Sequence, residues 1–286
     1  MKILLTGASG QVGYELERSL QGLGQVVAVD RRRMALDQLD QVRQVIREEK
    51  PQLIVNPAAY TAVDQAESEP QLAHRINAEA PAVMAEEAKR LGAALVHYST
   101  DYVFPGEQPG ARREGDATGP ANVYGASKLA GEQAIIAAGV PHLIFRTSWV
   151  YGMRGKNFLL TMLRLAKERE ELRIVADQHG APTWCRTIAD STALVLAQAR
   201  GGGAEWWQDN GGIYHLASQG ATTWHGFTEA ILAQAGIDCR LVPIASSEYP
   251  VPAKRPRNSV LDSGKLMGRF CNLPTWQESL RLCMRS

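Results

Sequence analysis

Through the first half of the chain, short apolar runs alternate with longer stretches whose apolar residues recur at intervals of three and four. Lys2 to Thr6, Gln25 to Asp30, Leu53 to Asn56, Ala93 to Tyr98 and His142 to Thr147 are the short runs. Each is bounded by Gly, Pro, Asp or Ser, and each predicts a strand. Val12 to Leu20, Leu39 to Glu49, Pro70 to Leu91 and Val123 to Ala138 carry the helical period. The pattern also allows a short extra strand at Met34 to Leu36. Strands and helices in strict alternation predict an α/β fold with a doubly wound parallel sheet, its ligand site beyond the carboxyl ends of the strands.

Past Arg146 the rhythm loosens, with more Pro, Gly and Trp. Helices are predicted at Asn157 to Arg169, Thr187 to Ala199 and Thr223 to Ala235. The Gly201-Gly202-Gly203 run and the Pro-rich Tyr249 to Arg257 segment read as loops. The chain is therefore expected to divide into a first domain, 1–148, and a smaller lobe, 149–286, with segments interleaved between the two.

Composition narrows the function classes. The 286 residues, 45% of them hydrophobic, can build a core without staples. Thirty-one basic residues against 30 acidic ones leave a net charge of +1, so the global field gives no reason to expect nucleic acid or an anionic membrane as partner. The apolar run Met1 to Leu5 is too short for a signal peptide, and no stretch reaches the roughly 18 apolar residues of a membrane span. A cytoplasmic protein is expected. Cys185, Cys239, Cys271 and Cys283 lack metal-ligand spacing and read as reduced, mostly buried thiols.

Candidate chemistry sits at the strand ends. Gly7-Ala8-Ser9-Gly10-Gln11-Val12-Gly13 follows the first strand and opens the first helix. Glycine there permits a positive φ and close approach of a pyrophosphate, and the helix start supplies free N–H groups, so Gly7, Gly10, Gln11 and Val12 are candidate dinucleotide contacts. Asp30, ending the second strand, suits a ribose hydroxyl and NADH. Arg31, Arg32 and Arg33 suit a 2′-phosphate and NADPH, or form a solvated loop. Asp37 and Gln38 stand where a base-contacting pair would sit. Ala58, Ala59, Tyr60, Thr61 and Val63 follow the strand Leu53 to Asn56 on the same edge, the small alanines leaving room for a flat ligand. Ser99 and Thr100 offer hydroxyls for a carbonyl oxygen at the end of the next strand.

Tyr124 is the one tyrosine with a lysine four residues on, Lys128, so both face one side of the helix that follows. A phenol of ordinary pKa near 10 is a poor acid at neutral pH, and a nearby ammonium lowers that value. A Tyr tuned in this way can protonate an oxygen that gains charge as hydride reaches a carbonyl carbon.

These residues resemble the extended short-chain dehydrogenase/reductase superfamily and, within it, the dTDP-4-dehydrorhamnose reductases. The similar segments are GQVGYEL, NPAAYTAVDQAESEP, HYSTDYVFPG, NVYGASKLAGE, FRTSWVYG, NFLLTMLRLAKERE, DQHGAPT and RPRNSVLD, which run from the first residues to beyond 260. The resemblance implies a Rossmann-like fold and reduction, by NADPH or NADH, of the 4-keto group of a dTDP-linked 6-deoxy sugar. It makes Tyr124 the general acid, Lys128 its tuner and ribose anchor, and Thr100 the hydroxyl that holds the keto oxygen. Gly10, Gln11, Val12, Asp30, Ala59, Tyr60 and Thr61 would line the cofactor. Thr100, Asp101, Trp149 and Val63 fall at substrate positions, with core packing the alternative for Trp149. The implied partner is a nucleotide sugar, and the implied assembly a monomer or homodimer. Family members can bind Mg²⁺ through acidic residues at a dimer interface. Glu15 matches one such position, but Arg186 stands where a second acid is expected, which argues against a metal here and leaves Glu15 an exposed helix residue. The competing readings are a nucleotide-sugar epimerase or dehydratase, or a non-catalytic NADP-binding regulatory subunit like that of methionine adenosyltransferase. Dehydratases place Asp-Glu after the Thr, where this chain has Asp101-Tyr102.

Overall fold

The computed structural model describes residues 1–285. Strands β1 (Lys2–Leu5), β2 (Gln25–Ala28), β3 (Leu53–Asn56), β4 (Ala94–Thr100) and β5 (His142–Thr147) form a parallel sheet with a sixth strand, Gly212–His215. The order is Gly212–His215, β5, β4, β3, β1, β2. The chain leaves β1 toward one edge to make β2 and crosses back to make β3 on the other side, so the order reverses between β1 and β3. Loops diverge at such a point and leave a crevice above the strand ends.

Both faces of the sheet are covered, which explains why its strands read as continuous apolar runs. From β1, Leu4 turns to one face and packs among Val42, Ile46, Val83 and Met84 of helices α2 (Leu39–Glu49) and α5 (Ala80–Leu91). Ile3 and Leu5 turn to the other face, against Leu16 and Leu20 at α1 (Gln11–Ser19) and against Ile188, Val195 and Leu196 of the helix Cys185–Ala199. A separate core holds the second half together. It is built from Tyr151, Leu159, Phe227, Trp276 and Leu280.

The structure differs from the sequence reading in several places, among them the following. Met34–Leu36 form no strand; after the turn of three arginines, Met34 and Leu36 plug into the core and the Ala35 N–H donates to Gln41 Oε1 at 2.8 Å. Strand β4 runs to Thr100, two residues past the predicted end. Past the short helix α3 (Val63–Ala66), Pro70 to Leu91 is not one regular helix but α4 (Pro70–His74), a π-helical turn at Arg75–Glu79, and α5. Out of the glycine-rich region come the helix Gly203–Asn210 and the sixth strand.

Helix α6 (Val123–Ala138) carries the Tyr/Lys pair, and its position is fixed at both ends of its first two turns. Asn122 caps it, its Oδ1 accepting the Gly125 N–H at 2.8 Å while its Nδ2 donates to Lys254 O at 2.9 Å. Two glycines let the helix press inward. A Cβ on Gly125 would stand 2.2 Å from Tyr102 O, and one on Gly131 would stand 2.1 Å from Asn77 O.

Candidate active site

A cleft of about 660 Å³ opens above the carboxyl ends of β1, β3 and β4. Gly7, Gly10, Gln11, Val12, Ala58, Ala59, Thr61, Thr100, Asp101, Tyr124, Lys128 and Trp149 all line it, so most of the residues singled out from the sequence meet in one place. Asp30, Arg31, Asp37, Gln38, Tyr60 and Val63 are not among its lining residues. Arg32 holds Asp30 through its Nε at 3.0 Å, and that hydrogen bond keeps the carboxyl below its ordinary value. Arg31 lies 3.5 Å from Asp37, and Arg33 pairs with Glu49. The arginine run is thus a surface loop paired with its neighbours' acids. Tyr60 points away from the cleft. Its hydroxyl donates to Glu69 at 2.8 Å, and burial, with that carboxylate, pushes the phenol up to about 12.

The glycine turn fits a dinucleotide. Gly7 has φ +59°, in the left-handed region. A Cβ on Gly13 would stand 2.1 Å from Gly7 O, and one on Gly7 would stand 2.9 Å from the Ala58 Cβ. Helix α1 starts after Gly10 with no side chain capping it, so its first N–H groups face the cleft with the positive end of the helix dipole. Gln11 is held from far along the chain, its Oε1 accepting from Asn157 Nδ2 at 2.9 Å. Asn157 also caps the helix Phe158–Glu168, which is the only signal it gives in the sequence. Lys156 beside it lines the cleft too and places a cation across from the glycine turn.

At the closed end, Tyr124 and Lys128 lie one helical turn apart on α6. The Thr100 hydroxyl donates to Asp101 Oδ1 at 2.9 Å, and Ser148 donates to Asp101 Oδ2 at 3.0 Å. Burial pushes the Asp101 carboxyl up to about 6, against hydrogen bonds from Ser259, Thr100 and Ser148 that hold it down. Burial likewise pushes the Tyr124 phenol up to about 12, with the Thr100 hydroxyl pulling the other way. The expected lowering of Tyr124 by Lys128 is therefore corrected: desolvation outweighs any help the phenol receives. The Lys128 ammonium is itself brought down to about 8 by burial, Glu132 opposing, and its Nζ lies 3.1 Å from His97 Nε2.

Trp149 lines the cleft with φ +45°, a conformation that costs a non-glycine residue about 1–2 kcal/mol. Its indole stacks on Trp224 with centroids 3.5 Å apart and planes at 4°, and Gly180 leaves room beside it, since a Cβ there would stand 2.3 Å from the ring. Neither support is legible in the sequence. The π-helical turn supplies another, through Asn77. Its Oδ1 accepts the Tyr60 N–H at 2.8 Å, and its Nδ2 donates to Tyr60 O and Ser127 Oγ, both at 3.0 Å, tying the loop after β3 to α6.

Glu15 is not an exposed residue. Its side chain is 13% exposed, and Oε2 accepts from Arg186 Nε at 3.1 Å. A guanidinium on that carboxylate fits Mg²⁺ poorly, and no group of three or more His, Cys, Asp or Glu side chains suited to a metal occurs among the described residues. Nor is any helix among them long and apolar enough to cross a membrane.

Comparison with known proteins agrees with this geometry. The family model described as the RmlD substrate binding domain matches residues 1–286. A dTDP-4-dehydrorhamnose reductase of Burkholderia thailandensis is 52% identical, covering 100% of this chain and 98% of that protein. The crystal structure of a dTDP-4-dehydrorhamnose reductase from Clostridium acetobutylicum superposes with a TM-score of 0.92 at 37% identity, over 100% of this chain and 99% of that one. A Bacillus anthracis dTDP-4-dehydrorhamnose reductase, solved in complex with NADP, gives 0.90 at 36% identity, over 99% and 98%. The chain belongs to the dTDP-4-dehydrorhamnose reductase family of the extended short-chain dehydrogenase/reductases.

Proposed function

We propose that the protein reduces the 4-keto group of dTDP-4-dehydro-6-deoxy-L-mannose to give dTDP-L-rhamnose, using NADPH or NADH. One observation carries the reading: the glycine turn, Thr100, Tyr124 and Lys128 share one cleft in a chain 52% identical over its whole length to a reductase of that name. Gly7, Gly10, Gln11, Val12, Ala58, Ala59 and Thr61 hold the cofactor, whose reduced nicotinamide supplies hydride to the keto carbon. As that carbon gains hydride, its oxygen gains charge. Tyr124 donates the proton, and its high pKa suits it to that role, because the phenol stays protonated at neutral pH until an alkoxide forms beside it. Thr100, aligned by Asp101, holds the keto oxygen, Lys128 stabilises the phenolate left behind, and Trp149 offers a flat face to the sugar nucleotide.

The direct test runs the reaction backwards. With dTDP-L-rhamnose and NADP⁺ or NAD⁺, the wild-type protein is expected to produce reduced nicotinamide, read by absorbance. Tyr124→Phe should lose about 10²–10⁴-fold in rate while binding cofactor nearly as before. Turnover by the phenylalanine variant at the wild-type rate would remove Tyr124 from its role. Silence of the wild type in both directions, with cofactor bound, would remove the substrate.

The pairing of Arg186 with Glu15 supports a monomer or homodimer that holds together without a metal link. A chelator is expected to leave both turnover and sedimentation unchanged; loss of either would show that a cation is needed after all.

A further inference from the structure

Beneath Lys128 a row of polar side chains leads from the cleft down into the sheet. Lys128 Nζ lies 3.1 Å from His97 Nε2, His97 Nδ1 lies 3.1 Å from Asn56 Nδ2, and the Thr6 hydroxyl donates to Asn56 Oδ1 at 2.6 Å. Asn56 and His97 are direct neighbours across β3 and β4, and Thr6 follows β1. None of the four is more than 1% exposed. A buried polar row in the middle of an apolar sheet is costly unless every member is satisfied.

Neutrality of the ring decides how the row can be satisfied. Burial, and then the charge of Lys128, hold His97 well below its ordinary value, so the imidazole carries a single proton. Two sets of hydrogen bonds along the row from Asn56 to Lys128 are then available. In one, Thr6 donates to Asn56 Oδ1, Asn56 Nδ2 donates to His97 Nδ1, and the ring proton on Nε2 points at the lone pair of a neutral Lys128 amine. In the other, the Asn56 amide is turned over: the Lys128 ammonium donates to Nε2, the ring proton on Nδ1 donates to Asn56 Oδ1, and Asn56 Nδ2 donates to Thr6 Oγ1. Going from the second set to the first releases one proton to solvent. Lys128 changes from NH₃⁺ to NH₂, and the ring proton changes from Nδ1 to Nε2.

We propose that His97, oriented by Asn56 and Thr6, is a positioning residue that holds Lys128 at the cleft wall in either protonation state, changing tautomer as Lys128 gains or loses its proton. The proposal deepens the reductase reading and rests on it for the role of Lys128. A lysine poised to exist in both forms near neutral pH can take part in returning a proton to Tyr124 after each turnover, which a permanently charged anchor cannot.

Other charges around α6 are engaged elsewhere. On the same helix, Glu132 is locked to Arg146 of β5 by two hydrogen bonds, at 2.9 and 2.6 Å. From the packed elements, Glu87 is held by Arg47 and Arg90, Arg75 pairs with Glu79, Lys89 donates to Ala138 O, Glu67 accepts the Val123 N–H, and Asp64 is held by Arg255. Asp101 and Tyr124 share the cleft wall with Lys128. Lys128 is faced by His97 at hydrogen-bond distance and by the charge of Glu132, which favours the ammonium against burial.

The test reads tautomers in the intact protein. Labelling histidine with ¹⁵N and recording long-range proton–nitrogen spectra distinguishes Nδ1–H, Nε2–H and imidazolium, and His97→Gln identifies the signals. Between about pH 5.5 and 9.5, His97 is expected never to become imidazolium and to pass from Nδ1–H to Nε2–H with a midpoint near that of Lys128, about 8. The pH profile of kcat for the nucleotide-sugar reduction should share that midpoint. His97→Leu removes the acceptor that favours the ammonium, so its midpoint should fall by about one unit and kcat by about tenfold or more. His97→Gln, which can both accept and donate, should restore both. A ring that titrates to imidazolium, a single tautomer across the whole range, or a kcat midpoint unmoved in His97→Leu would each overturn the proposal. The spectra need no substrate, so they judge His97 even if the wild type fails to turn over the dTDP sugar, an outcome that would instead overturn the reductase reading.

Discussion

At Asp101 stability and chemistry pull in opposite directions. The side chain is 3% exposed, and even with Thr100 and Ser148 donating to it, burial lifts its pKa from the ordinary 3.8 to about 6. Between those two values the folded chain holds a proton that the unfolded chain has released, so stability falls as pH rises through that window. Above pH 6 the full cost is present, at most about 3 kcal/mol at 1.36 kcal/mol per unit. Asp101→Asn removes the charge and keeps the shape. The variant is expected to melt above the wild type at pH 7, with a gap that shrinks as pH falls from 6 toward 4, while its turnover drops because Thr100 loses the carboxylate that aligns it. Calorimetry across that range checks the sign, and a gap independent of pH would mean that ionisation of Asp101 is not its source. At this scale the sequence is informative about residue types and silent about their surroundings. Thr100, Tyr124 and Lys128 are legible because a strand end and a helical spacing bring them together. The desolvation that raises Tyr124, and the ring that holds Lys128, depend on β3 and β4 lying side by side, which no local pattern records.

Among the elements, α6 does most to build the site, and its inner face is set by what it lacks. Alanine in place of a mid-helix glycine ordinarily stabilises by about 0.5–1 kcal/mol. At Gly131 the sign should reverse, because the new Cβ would stand 2.1 Å from the Asn77 carbonyl oxygen, a backbone atom that cannot swing aside. Overpacking of this kind costs about 1–3 kcal/mol and outweighs the propensity gain. Gly131→Ala is therefore expected to lower the urea midpoint. It should also lower kcat, since pushing α6 outward moves Tyr124 away from Thr100; a variant more stable than wild type would show that the π-helical turn yields. That turn marks the limit of sequence reading for elements. From Pro70 to Leu91 the apolar spacing continues across the irregularity, and one extra residue in a turn barely disturbs a period of 3.6. Starts marked by an asparagine fare better: the helices expected from Val123 and Asn157 begin at Val123 and Phe158, capped by Asn122 and Asn157.

For the whole molecule, the decisive fact is that the first half does not own its sheet. Strand Gly212–His215 pairs with β5 along its full length, with Gly212 opposite Leu143 and His215 opposite Arg146. On the same face, Ile188, Val195, Leu196, Tyr214, Leu216 and Leu266 from the second half complete the core that Ile3, Leu5, Leu16 and Leu20 begin. The apolar period of α1 and β5 announces that they must be covered. It does not say by what, because the covering segments lie tens of residues farther on and their own patterns fit a separate lobe equally well. The energetic consequence can be bounded. A fragment of residues 1–148 would leave that face open to water, and each large apolar side chain so exposed forfeits about 1.5–3 kcal/mol. A domain is stable by only about 5–15 kcal/mol in total, so losing cover from a handful of such contacts is enough to unfold it. The fragment is expected to be unfolded or aggregated when expressed alone, with poor amide dispersion and no NADP binding. The intact chain, with its sheet and helices shared between the halves, should unfold in a single transition seen alike by far-ultraviolet circular dichroism and tryptophan fluorescence. Because all six tryptophans lie in the second half while five of the six sheet strands come from the first, two separated transitions would show that the halves fold apart, and a soluble fragment that binds NADP would show that the first half is a domain in its own right.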